Sequence, residues 1–375
     1  MPRLVLRLAL VAATIALATV LAPAQPPAGR PIDAAERKAV IDGVLKAIEP
    51  NYVFPDVGKK MAHAIRDREG KKEYDAITSG PELAEALTKH LREVCKDLHL
   101  WVRYNPEPFP KDLARGPSDE QMKRARERAA LRNFGFRKVE RLGDGGIGML
   151  QLDGFHPAEV IGETAAAAMS FLANNDAVVI DLRKNGGGSP EGVILLCSYF
   201  FDEPTHLNSI YTRSTDTTRQ YWSHPVAGKR LIGKDVYVLT SSRTFSAAEE
   251  FTYNLQSQKR ATIVGETTGG GAHPTRGFHV SDHFVVGVPF ARSINPVTKT
   301  NWEGTGVKPD VAVPAHQALH TAHLLALKKA AKKYAGDADK SAEITREMES
   351  VQKELDDLKA KDTPMKNASK DAPAP

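Results

Sequence analysis

The sequence predicts an α/β protein whose sheet is largely parallel, preceded by a helical N-terminal part. Three observations carry that expectation. The run Ala177 to Leu182 is apolar throughout but for Asp181, as in strands buried on both faces. That run and Asp235 to Thr240 each pass through a short polar turn directly into a helical pattern. The first hundred residues instead space their apolar positions by three and four. In such sheets functional groups collect at the carboxyl ends of the strands, so the two polar turns are the places to look for chemistry.

The chain opens with Arg3 and Arg7 ahead of a long apolar run that ends at Ala22-Pro23-Ala24, the pattern of a secretory signal peptide over residues 1–24. Export to a periplasm or to the outside is expected, with a membrane association only if the leader is retained uncleaved. Helical patterns at 34–48, 56–68 and 81–96, the last opened by Pro81-Glu82, form a helical N-terminal subdomain over 33–104. Residues 105–133 are Pro-rich and then densely charged, a linker and a solvated helix.

The α/β core is expected over 134–315. Strands at 136–142 and 147–152 meet at Gly143-Asp144-Gly145-Gly146, a hairpin signal. A helix at 158–174, the strand at 177–182 and a helix at 190–201 follow. The strand at 235–240, a helix from Ser246 and strands at 261–265 and 284–291 complete it. Residues 316–375 read as C-terminal helices and a disordered charged tail, with weak heptad-like spacing up to Leu358, a solvated appendix to the core.

The 51 Lys and Arg against 46 Asp and Glu leave a formal charge of +5, too weak to indicate nucleic acid, and no basic patch is interleaved with aromatics. Cys95 and Cys197 are the only cysteines; an exported compartment permits a disulfide, and two unpaired buried thiols fit equally. With no His-Glu-x-x-His, no cysteine cluster and no tight His/Asp spacing, neither a metal nor another cofactor is expected.

The stretch TSSRTFSAAEEF runs from the end of a strand into a helix, and Ser246 in it has two readings. Ser246-Ala247-Ala248-Glu249 fits a capping box. Ser246 also stands where a nucleophile would, with the Ala247 amide as a free donor for an oxyanion. The glycines of DLRKNGGGSP would let a second set of amides face a ligand, and their spacing matches neither nucleotide-binding loop. A serine nucleophile needs a base. His99 in KDLHLWVRY and His273 in GGGAHPT are both available, as is the carboxylate of Glu303 in NWEGTGVKPD, and spacing does not choose among them.

Taken together, TSSRTFSAAEEFTYNLQ, DLRKNGGG, RATIVGETTGGGAHP and WEGTGVKPDVAV resemble the C-terminal processing (tail-specific) serine peptidases, in the branch similar to the tricorn core protease and interphotoreceptor retinoid-binding protein. The likeness runs over about residues 35 to 315. It implies a crotonase-like/ClpP-like core of ββα units with a helical N-terminal subdomain, and a peptide or protein as substrate. It also implies Ser246 as nucleophile, the amides of Ala247 and of Gly187 or Gly188 as oxyanion hole, His99 as base and Glu303 as its supporting carboxylate. Arg243 and His273 are substrate-contact candidates. The lysine base of the classical bacterial members is replaced by Gly in GETTGGGAHP, which excludes a Ser/Lys dyad, and the serine that precedes the histidine in the tricorn-like branch is Leu98 here. No PDZ insertion is recognisable. The competing reading is a non-catalytic module on the same fold that holds a hydrophobic ligand, such as a retinoid or fatty acid, or a peptide.

Overall fold

The structure, a computed structural model, describes residues 30–110 and 118–362, so the leader and the last thirteen residues of the expected tail lie outside the described residues. The N-terminal part comprises α1 (Ala34–Asn51), α2 (Pro55–Gly70), α3 (Gly80–Cys95) and β1 (Trp101–Tyr104), followed by α4 (Asp119–Ala130). The core begins with β2 (Phe136–Leu142), β3 (Ile147–Leu152), α5 (Ala158–Leu172), β4 (Ala177–Asp181) and α6 (Pro190–Cys197). It continues with β5 (His206–Thr212), β6 (Thr217–Trp222), β7 (Asp235–Thr240), α7 (Ala247–Ser257) and β8 (Thr262–Gly265). β9 (Thr275–Ser281), β10 (Phe284–Pro289), β11 (Ala291–Ile294), β12 (Val311–Ala312), α8 (Ala318–Lys333) and α9 (Ala338–Asp362) complete the chain.

The central sheet has six strands in the order β12-β8-β7-β4-β3-β2, and only the β2-β3 hairpin is antiparallel. All five residues of β4 are buried, because the sheet is covered on both sides. Val178 and Ile180 face a core shared with α5, α6 and α7, while Ala177 and Val179 face one shared with α8 and α9. Period-two alternation is therefore apolar on both sides, which is why this strand reads as a nearly unbroken run.

Three departures from the expectation have physical causes. The helical N-terminal subdomain is completed by strands from far along the chain: β1 pairs with β10 and β10 with β9, and Phe284, Val286 and Val288 pack in one cluster with α1, α2 and α3. A second small sheet, β11-β5-β6, takes β5 and β6 from the stretch between 201 and 235, where no strand was expected. Its β6 is mostly exposed and polar, so it lacks the hydrophobic alternation that marks a half-buried strand. The C-terminal region is no solvated appendix either. Ile344, Val351 and Leu355 of α9 are buried against α8, and Glu347 accepts from the amides of Asp144 and Gly145 at the β2-β3 hairpin. Spacing that is weak as a heptad suffices when one neighbouring helix receives it.

α4 starts at Ser118, whose hydroxyl accepts from the Gln121 amide, and it buries no residue, in keeping with a solvated helix. Cys95 and Cys197 are unpaired and belong to different hydrophobic clusters. No helix of the described residues is long and apolar enough to cross a membrane.

Candidate active site

The Ser246 side of the site is built from the carboxyl ends of β4 and β7. Thr244 Oγ1 donates to the Leu182 carbonyl (2.9 Å) and Ser241 Oγ to the Arg183 carbonyl (2.6 Å), lashing the two post-strand turns together. Asn185, fully buried, donates to the Leu152 carbonyl (2.9 Å), while its own carbonyl receives the Phe245 amide (3.1 Å). On this frame Ser246 adopts φ 56° and ψ −121°, a conformation that side-chain-bearing residues rarely hold. It is stabilised by Glu249. Buried one turn into α7, that carboxylate accepts from the amides of Ser246 (2.9 Å), Gly270 (2.6 Å) and Gly271 (2.8 Å) and from Thr268 Oγ1 (2.5 Å).

Glu249 supplies its half of the capping box to the Ser246 amide, and the Ser246 hydroxyl has His99 Nε2 3.1 Å from its Oγ. Behind the serine stands the glycine loop. The Gly187 amide donates to Asn185 Oδ1 (2.9 Å), so of the two glycines expected to offer an amide, Gly188 is the one left unengaged. Among the described residues the amides of Gly188 and Ala247 have no protein acceptor. Gly187 is needed for space instead: at φ 106°, a methyl there would stand 2.8 Å from the Ser246 Cβ. Gly188 has φ 139°, and a methyl on it would overlap the Phe155 carbonyl oxygen.

The other side comes from the N-terminal subdomain. α3 ends at Lys96 in the left-handed conformation, and the chain then turns at Asp97, whose Oδ1 accepts the His99 amide (3.0 Å). The His99 ring is held against Phe245, with centroids 4.6 Å apart. Burial lowers its pKa to about 4, against an opposing pull from Asp97, so at neutral pH the ring is uncharged and can accept a proton. Its Nδ1 is buried without a partner, and so is Glu303 Oε1. A ring nitrogen of His99 and carboxylate oxygens of Asp97 and Glu303 lie within 4.8 Å of one another.

Glu303 therefore sits in the cluster expected for it without a hydrogen bond to His99. Its Oε2 accepts from the Ala272 amide (2.6 Å) and lies 3.4 Å from His273 Nδ1. Burial, then the neighbouring Asp97, pushes its pKa up. His273 is a buried structural partner, with Nδ1 2.8 Å from Asp97 Oδ2, and it forms part of the cleft wall. Arg243 is exposed on the turn and does not line the cleft, so the structure gives it no substrate contact. Leu98 is 43% exposed, and only its carbonyl is used, by Arg92 (2.7 Å).

Sequence reasoning passed over Asp97, Asn185 and Tyr52, whose hydroxyl donates to Asp97 (3.1 Å). Asp97, two residues before His99, carried a usable signal as an Asx turn; Tyr52 carried none, because its partner is 45 residues away. The cleft between the two sides has a volume of about 330 Å³ and is lined by His99, Ser246, Ala247 and Gly188 together with Glu250 and Trp302.

A serine hydroxyl in reach of a neutral imidazole, with two unengaged amides beside it, defines a site of the serine-hydrolase class. Within that class the chain is similar to peptidase family S41 over most of its length. The profile of that family matches residues 146–313, and the profile for the N-terminal domain of peptidase S41 in eukaryotic IRBP matches residues 34–138.

The chain is similar to the chloroplastic carboxyl-terminal-processing peptidase 2 of Arabidopsis thaliana, at 29% identity over 56% of this chain and 41% of that one. It is also similar to a candidate CtpA-like serine protease of Staphylococcus aureus (strain bovine RF122 / ET3-1), at 26% identity over 70% of this chain and 51% of the other. The chain thus spans about half the length of the curated relatives it matches. The crystal structure of a candidate peptidase from Parabacteroides merdae ATCC 43184 shares the fold, with a TM-score of 0.56 at 19% identity over 78% of this chain and 96% of that one.

Proposed function

We propose that this protein is a serine peptidase in which His99 takes the proton of Ser246 as its Oγ attacks a peptide carbonyl. The observation that carries the reading is the 3.1 Å approach of His99 Nε2 to Ser246 Oγ across two separately built walls. The developing oxyanion is met by the amides of Gly188 and Ala247 at the start of α7, where the helix end favours negative charge. Protonated His99 hands its proton to the leaving amine, and water then releases the acyl group from Ser246. Glu303 and Asp97 stabilise the imidazolium electrostatically. In place of a bridging serine at position 98, the Asp97 turn and the Phe245 ring hold His99 in position.

The leader-like start, together with a chloroplastic relative, supports a location outside the cytoplasm, and periplasmic or secreted peptides are the substrates such a placing offers. The carrier reading fits this cleft poorly. At about 330 Å³ it stands at the lower end for a ligand pocket, and its apolar lining is interrupted by His99, His273 and Glu250.

The test is incubation of the protein with a complex peptide mixture and identification of new termini by mass spectrometry. Cleavages present with wild type and absent with Ser246→Ala support the proposal. A folded wild type that creates no termini beyond those of the variant contradicts it.

A further inference from the structure

Glu250 lies one helical turn beyond Ser246 on α7 and lines the same cleft, yet nothing in the chemistry above uses it. It is 4% exposed. Asn208 Nδ2 donates to Oε1 (3.0 Å), and the same amide lies 3.4 Å from Ser293 Oγ, so one carboxylate oxygen is fixed from the β5 side. Oε2 has no protein donor, and no cation pairs with Glu250 among the described residues. The only charged neighbour that acts on it is Glu191, of like sign. Burial pushes its pKa up to about 7, with the Asn208 bond pulling the other way and Glu191 adding to the rise.

A carboxyl buried without a counter-ion is destabilised unless something arrives to pair with it, and here the residue belongs to the wall of the cleft. The same lining carries the apolar side chains of Pro190, Ile210, Ala247 and Trp302, with Ser293 and Thr275 as polar members. A largely apolar cleft whose wall holds a half-satisfied carboxylate matches a side chain with an aliphatic stem and a cationic head.

We propose that Glu250 is the specificity residue of the subsite that receives the side chain of the residue donating the scissile carbonyl, and that it selects lysine or arginine there. The inference rests on the peptidase reading above and adds the substrate class. Bound in this way, the cationic head meets Oε2 while Asn208 keeps Oε1, and the stem replaces water along the apolar walls.

The experiment uses two tripeptidyl diphenyl phosphonates that differ only in carrying a lysine-type or a norleucine-type side chain next to phosphorus, alongside an alkyl fluorophosphonate with no such side chain. Second-order labelling rates are measured for wild type and Glu250→Gln. Wild type is expected to react at least about tenfold faster with the lysine-type probe, and Glu250→Gln to bring the ratio to within about threefold of unity.

Equal or faster labelling by the norleucine-type probe in wild type overturns the inference, as does a ratio that survives in the variant. The wild-type ratio decides on its own if the variant does not fold. Silence of both peptidyl probes while the fluorophosphonate still labels Ser246 overturns the subsite and leaves the serine-hydrolase reading standing. Silence of all three overturns the reading of the site and this inference with it.

Discussion

The two walls of the cleft are made in different ways. The Ser246 wall is a matter of backbone: two parallel strands end side by side, their turns are hydrogen-bonded to each other, and a positive φ at Ser246 with glycines at 187 and 188 aims amides and hydroxyl into one space. The His99 wall is a matter of buried charge, in which Asp97, Glu303, His99 and His273 crowd together where α3 meets the 270–273 loop. One wall is rigid because its atoms cannot be elsewhere. The other depends on which of its groups hold protons.

The difference implies that the walls fail differently. The largest expected effect is loss of the nucleophile. Ser246→Ala lowers kcat for peptide hydrolysis by about 10⁴ to 10⁶, and adding His99→Ala to it costs nothing further, because the two act as one unit. Progress curves on any peptide found to be cleaved read this out directly; additive losses would mean that His99 serves the fold rather than the serine.

A smaller effect separates the glycines of the first wall. Gly188→Ala pushes the chain away from Phe155 and spoils one oxyanion donor, for a loss of about 10² to 10³ in kcat. Gly186→Ala meets nothing within 4 Å and leaves kcat within about twofold. Equal losses at both positions would show that the loop matters for flexibility and not for its amides.

The carboxyl of Glu250 offers a comparison in stability. Its pKa is raised from 4.5 to about 7 in the fold, so the folded protein keeps a proton there that the unfolded chain has released. The stabilisation that goes with this proton is complete below pH 4.5 and gone above about 7. Between those limits wild type should lose roughly 3 kcal/mol relative to Glu250→Gln, measured by urea unfolding across that range. Parallel stability curves for the two proteins would contradict it.

The smallest effect concerns position 98. Its side chain points outward, so Leu98→Ser changes kcat/KM by no more than about twofold. A larger gain would mean that the loop turns over to bring this side chain to His99.

The same contrast explains what was legible in the sequence. The strand–turn–helix units around 182–190 and 240–247 were readable because local pattern determines them: a nearly unbroken apolar run, glycines and a capping signal. The pairing of β1 with β10 and the closure of the N-terminal subdomain by β9 and β10 were not, because those partners lie nearly two hundred residues apart and no local signal encodes the contact. Ser246 and His99 could be named from motifs. That Asn185 occupies the Gly187 amide, and that the His273 ring is tied to Asp97, follow only from the fold.

The central claim is that the two walls meet to activate one serine. It is tested most directly by the second-order rate of alkyl fluorophosphonate labelling, with the adduct mapped by tandem mass spectrometry, in wild type and His99→Ala. The account predicts a single adduct on Ser246 that forms at least about a hundredfold more slowly in the variant. Labelling of Ser246 at the same rate without His99, or no labelling of a folded wild type, would contradict it.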